Sequence, residues 1–179
     1  MKNILVVALN EDELYARQFI DPITDTFLLE NFSVRYYKNI NSLDINTFTH
    51  IIISGTYLKD SSYLENLEYF SWIKKYKNNL LGICAGSQII SMIYNSKTIQ
   101  LKNIGLISLD IILKDKLFDS ISFSRCYSLH NLIFSVPKNF EILAQHDSIP
   151  RIVKKNKTYL FSFHPEVYQK NILTNFINL

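Results

Sequence analysis

Cys84 lies in the run Leu80-Leu81-Gly82-Ile83-Cys84-Ala85-Gly86-Ser87-Gln88, where an apolar segment meets small residues and then a helix-forming stretch. A sharp strand-to-helix turn of this kind lifts a nucleophile above a sheet, and small neighbours let strand and helix approach closely. At the helix N-terminus, unpaired N–H groups and the helix dipole favour a thiolate. The same N–H groups can stabilise the oxyanion that forms when sulfur attacks a carbonyl. Gln88 follows one helical turn later on a neighbouring face. Cysteine is also among the most buried residue types, so Cys84 has a plain core reading as well. To act as a nucleophile it needs a base, and the base needs a group to orient it.

Tyr159-Leu160-Phe161-Ser162-Phe163-His164-Pro165-Glu166 offers both. A residue before proline avoids the α region, so His164 is held extended. Pro165 cannot donate to a ladder, so the strand is expected to stop there. The two-residue period of a strand would place His164 and Glu166 on one side, within carboxylate-to-imidazole reach. Such a carboxylate fixes the tautomer and supports the imidazolium. His50, His130 and His146 have no acid two residues on, and Cys126 lacks any comparable context and reads as core.

The elements that must carry these residues can be read from hydrophobic patterning. Residues 4–9, 50–54 and 80–83 are short apolar runs that read as buried strands, and 33–37 reads as a second strand in chain order. Between and after them, 11–31 (interrupted at Pro22), 64–76 and 86–94 have helical spacing. The second half holds strand-like runs at 104–113, 127–136, 142–146, 151–153 and 159–163, with antiparallel pairs expected, and a final helix over 169–178. Alternating strands and helices imply an α/β fold with an open, mainly parallel sheet flanked by helices. In such sheets, sites form at the carboxyl ends of the strands.

Composition bounds the rest. The chain has 179 residues, 47% of them hydrophobic, and no linker or repeat, so residues 1–179 are expected to form one domain with a substantial core. Its net charge of +3 is dispersed rather than gathered into a stripe with stacking aromatics, which argues against nucleic-acid binding. Two cysteines give neither a disulfide framework nor a metal-ligand spacing, so no metal is expected. The apolar run at 4–9 is too short for a signal peptide. Residues 78–96 are uncharged but too polar to span a membrane. A cytoplasmic protein without membrane association is the expectation. Only four glycines occur, where about 7% of residues is usual. Three of them, Gly55, Gly82 and Gly86, fall beside the runs described above.

These residues resemble the class I (triad-type) glutamine amidotransferases. Gly82-Ile83-Cys84-Ala85-Gly86-Ser87-Gln88 looks like the G-x-C-x-G-x-Q elbow of that family, and Phe163-His164-Pro165-Glu166 like its F-H-P-E signature. Ile51-Ile52-Ile53-Ser54-Gly55 resembles the strand leading to its oxyanion loop. Arg125-Cys126-Tyr127-Ser128-Leu129 is similar to the segment whose main chain grips the substrate. The resemblance implies a flavodoxin-like domain that hydrolyses L-glutamine to glutamate and ammonia without a cofactor. Cys84, His164 and Glu166 would form the triad, and Ala85 with Gly55 or Thr56 the oxyanion hole. Gln88, Ser128 and Leu129 would hold the glutamine. The family usually passes its ammonia to a synthase, so a separate synthase subunit is the expected partner. The short length and the segment 140–164 look most like stand-alone glutaminase subunits of GMP synthase.

One departure is visible. Thr56 stands where the family usually has a second glycine, and a β-branched residue would then have to adopt a backbone suited to glycine. Two other readings stay open beside the glutaminase: a hydrolase of another γ-glutamyl compound using the same triad, and a catalytically silent regulatory subunit.

Overall fold

A computed structural model describes residues 2–121 and 125–179. In the first half, β1 (Asn3–Ala8), α1 (Glu13–Thr24), β2 (Asn31–Tyr36), β3 (His50–Ile53), β4 (Asn79–Ile83) and α2 (Ala85–Ile93) follow one another. The second half adds β5 (Thr98–Ile107), β6 (Asp110–Ile111), β7 (Cys126–Phe134), β8 (Glu141–His146), β9 (Ile149–Lys155) and β10 (Thr158–Phe161). Two helices, α3 (Pro165–Tyr168) and α4 (Lys170–Ile177), come last.

The main sheet has eight strands in the order β2-β1-β3-β4-β10-β9-β8-β6. From β2 to β10 every pairing is parallel, and from β10 outward every pairing is antiparallel. β5 and β7 form a separate antiparallel pair. The apolar runs of β1, β3, β4 and β10 are continuous because both sheet faces are covered. Ile4, Val6, Ile52, Leu81 and Phe161 face one core with α1 and α4. Leu5, Val7, Ile51, Ile53, Leu80 and Leu160 face the other with α2.

The structure departs from the sequence expectations in specific places. The run 64–76 forms two 3-10 helices, Ser62–Glu65 and Leu67–Lys74, rather than an α-helix. Asn66 divides them at φ −123°, and its side chain donates to the Ser62 carbonyl at 2.7 Å. Asparagine competes with helical bonding in this way. The run still buries Phe70, Trp72 and Ile73. The strand expected over 104–113 is divided between β5 and β6, which belong to different sheets.

Candidate active site

Four parallel strands end on the same edge, and each delivers one part of the site. β1 runs into Asn10, β3 into Gly55 and Thr56, β4 into Cys84, and β10 into His164. This is the carboxyl edge at which open α/β sheets place their sites.

Cys84 is the N-cap residue of α2, with φ 50° and ψ −105°. A positive φ is unusual for a non-glycine residue and is held only where the surroundings over-determine it. Two contacts impose it. The Cys84 N–H donates to the Phe161 carbonyl on β10 at 2.8 Å, which ties the elbow to the strand leading to His164. α2 also presses directly onto β3: a Cβ on Gly86 would stand 2.3 Å from the Ile53 carbonyl oxygen. The Ser87 and Gln88 N–H groups bond to the Cys84 carbonyl. The Ala85 N–H precedes them in the first turn, where no intrahelical acceptor exists.

His164 and Glu166 are both 2% exposed, and the His164 Nδ1–H donates to Glu166 Oε1 at 2.7 Å. The pairing is achieved differently from the strand expectation. β10 ends at Phe161, His164 makes an isolated bridge to Tyr127, and Pro165 opens α3. Proline's fixed φ suits the first turn of a helix, so Glu166 curls back toward the imidazole from a helical turn. Burial by itself would lower the imidazole pKa. The Glu166 carboxylate, and after it the Cys84 sulfur, outweigh this and hold it well above the usual 6.5. His164 Nε2 is buried without a hydrogen-bond partner, and the Cys84 thiol points to the Leu129 carbonyl at 3.5 Å. Catalytic hydrogen bonds are often loose before substrate binds.

Gly55 brings the loop after β3 against both groups. A Cβ there would lie 2.6 Å from His164 Cε1 and 3.6 Å from Cys84 Cβ, so the imidazole occupies the space that a side chain would need. Thr56 does not take the glycine-like backbone expected of it, since it is not among the positive-φ residues. The conformational oddity falls on Cys84 instead. The Thr56 hydroxyl is bonded on both sides, accepting from Asn10 Nδ2 and donating to Asp60 Oδ2, each at 2.8 Å.

A cleft opens beside Cys84, lined by Thr56, Asp60, Tyr63, Ala85, Gln88 and Leu129 among others. The Gln88 amide donates to the Leu132 carbonyl at 2.8 Å, and Tyr63 OH donates to Gln88 Oε1 at 2.7 Å. Ser128 is fully buried and not part of the cleft lining, and its hydroxyl has no hydrogen-bond partner. Asn10, Asp60 and Tyr63 belong to this neighbourhood and carry no motif of their own. The continuous apolar strand before Asn10 is the only sequence signal that points near any of them. His130, which also lines the cleft, donates from Nδ1 to the Leu101 carbonyl and accepts at Nε2 from Arg151. Burial and the adjacent guanidinium push its pKa down to about 4. Cys126 is fully buried, and burial pushes its thiol up to about 12, in keeping with a core role. Among the described residues no group of three or more His, Cys, Asp or Glu side chains could hold a metal. No described helix is long and apolar enough to cross a membrane.

The fold and the glutamine-amidotransferase motifs agree, and the chain belongs to the class-I glutamine amidotransferase family, whose sequence model matches residues 15–178. Among curated relatives, anthranilate synthase component 2 of Helicobacter pylori (strain ATCC 700392 / 26695) is 35% identical over 98 residues, 51% of this chain and 50% of that protein. A glutamine-hydrolyzing GMP synthase subunit of Methanosphaera stadtmanae is 34% identical over 95 residues, 49% of this chain and 51% of that one. The matched stretches thus span about half the length of these relatives. A putative GMP synthase subunit from Thermoplasma acidophilum has the same fold, with a TM-score of 0.82 over 99% of this chain and 93% of that one at 20% identity.

Proposed function

We propose that this chain, as one amidotransferase domain over residues 1–179, hydrolyses L-glutamine to glutamate and ammonia in the cytoplasm and hands the ammonia to a separate synthase subunit. The observation that carries this reading is the convergence of Cys84, on a strained elbow, with the buried His164–Glu166 pair across Gly55. The Cys84 sulfur attacks the γ-carboxamide carbon, and the oxyanion that forms is met by N–H groups of Ala85 and of Gly55 or Thr56. As the C–N bond breaks, the His164 imidazolium gives its proton to the leaving ammonia. Water then attacks the γ-glutamyl thioester, His164 takes its proton, and glutamate leaves as the thiolate is restored. Glu166 holds the imidazole in one orientation throughout. Gln88 and the main chain at Leu129, both on the cleft wall, hold the amino-acid end of the substrate.

The similarity to anthranilate synthase component 2 and to a GMP synthase subunit supports a synthase as the recipient of ammonia. Ammonia release from glutamine by the purified chain, alone and with each candidate synthase, tests both parts. Turnover that rises when a synthase is added is the expected result. Turnover confined to other γ-glutamyl compounds would replace the reading with a γ-glutamyl hydrolase. Failure of a glutamine-analogue electrophile to label Cys84, even with the partner bound, would leave a silent subunit.

A further inference from the structure

The hydrogen bonds around Thr56 have only one self-consistent direction. A carboxylate oxygen can only accept, so the Thr56 hydroxyl must donate to Asp60 Oδ2. With its proton committed, the hydroxyl oxygen must accept from Asn10, which fixes the orientation of that amide. Asp60 is held in turn: its other oxygen accepts from the Ser62 N–H at 3.0 Å and the Ser62 hydroxyl at 2.7 Å. Its own N–H donates to the Tyr57 carbonyl at 3.0 Å. The relay therefore begins just past the end of β1, passes through the loop after β3, and ends on the rim of the cleft. Asn10 and Thr56 are buried, so the bond between them is shielded from water, and the one to Asp60 is part-buried and charge-assisted.

We propose that Asn10 and Asp60 are positioning residues for the oxyanion hole: by gripping the Thr56 hydroxyl from both sides, they set the main chain that faces Cys84. A glycine at position 56 could not be gripped in this way, so the threonine that departs from the family pattern gains a purpose. Gly55 sits between this relay and the two reacting side chains, against His164 Cε1 and Cys84 Cβ. A shift of the loop is thus transmitted to the reacting centre, where about 1 Å of misplacement can cost on the order of a hundredfold in rate. The inference rests on the glutaminase reading above.

The test compares Thr56→Val, which keeps the shape and removes the hydroxyl, with Thr56→Ser, which keeps the hydroxyl, and adds Asn10→Ala and Asp60→Asn. Each is assayed for kcat and KM with glutamine in whichever state, alone or with synthase, the wild type turns over. The rate of Cys84 alkylation by iodoacetamide is measured in parallel, because that displacement forms no oxyanion. The expected result is a kcat loss on the order of ten- to a hundredfold in Thr56→Val, Asn10→Ala and Asp60→Asn, with KM within about twofold. Alkylation should stay at the wild-type rate, and Thr56→Ser should retain most of the turnover. Wild-type kcat in Thr56→Val overturns the proposal, as does an equal loss in the serine and valine variants. A rise in KM alone for Asp60→Asn overturns it too, and makes Asp60 a substrate contact. Parallel loss of turnover, alkylation and thermal stability in Thr56→Val reduces the relay to a structural tie. Wild-type protein that iodoacetamide labels but that never turns over glutamine removes the glutaminase reading itself, and this inference with it.

Discussion

Cys84 carries the cost of its own placement. At φ 50° and ψ −105° an L side chain is strained by roughly 1–3 kcal/mol. The usual ranking of alanine over glycine should therefore reverse at this position. Cys84→Gly is expected to be more stable than Cys84→Ala by about 1 kcal/mol, read from urea unfolding, while neither releases ammonia from glutamine. Glu166 makes a second test possible. Its carboxylate opposes the burial penalty and keeps His164 charged at higher pH. Neutralising it in Glu166→Gln lowers the imidazole pKa, so the alkaline limb of the kcat/KM profile should move to lower pH. An unmoved limb would show that the limb belongs to another group. A milder loss of activity than in His164→Ala is expected, since the imidazole remains.

Elements are held together here by backbone against backbone, and Gly86 shows how tightly. Alanine favours a helix over glycine by about 1 kcal/mol, yet a Cβ at 86 would meet the Ile53 carbonyl at 2.3 Å. Neither backbone can give way cheaply. Gly86→Ala should destabilise the fold by about 3 kcal/mol or more, measured as a lower urea midpoint. The elbow and the F-H-P-E turn are legible in the sequence because their signals are local: small residues around Cys84, and proline and an acid after His164. The buried strands β1, β3 and β4 are legible from continuous apolar runs. Tertiary partners decide the rest. Asn66 breaks an apolar periodicity into 3-10 turns by bonding Ser62, and β5 leaves the main sheet to pair with β7. Asn10, Asp60 and Tyr63 are ordinary polar residues until folding brings the ends of β1, β3 and β4 together. In the sequence Thr56 poses a backbone problem; in the fold its φ is not positive, and its hydroxyl is bonded on both sides.

Across the molecule, buried neutral histidines set the response to acid. His50 accepts from the Asn79 amide at Nε2 and contacts the Thr49 hydroxyl at Nδ1, and burial pushes its pKa down to about 4. His130, pinned between a carbonyl and a guanidinium, is also pushed down to about 4. For both groups the folded value lies below the unfolded one. Their stabilisation is therefore present above pH 6.5 and is lost as pH falls through 6.5 toward 4. At pH 5 each should remove about 2 kcal/mol relative to neutral pH. His164 has the opposite sign, full below 6.5 and lost only as pH rises, so it offsets part of this fall. Unfolding free energies at pH 7 and pH 5 check the sum, and His50→Gln should show about 2 kcal/mol less acid loss than the wild type.

The last strand to appear in the sequence, β10, is not an edge strand. It sits inside the sheet between β4 and β9, and its Phe161 carbonyl anchors the cysteine elbow. The nascent chain contains β1–β4 and α2 before it contains β10, and without β10 the Cys84 N–H lacks its Phe161 acceptor. Long-range strand insertion of this kind is slow, and the unpaired edge of β4 is then exposed to wrong partners. On the glutaminase reading proposed above, the thiol lacks its base until then, because His164 follows β10 in the chain. Under that reading, a chain truncated before β10 would keep Cys84 and lack both its base and the Phe161 anchor of its elbow.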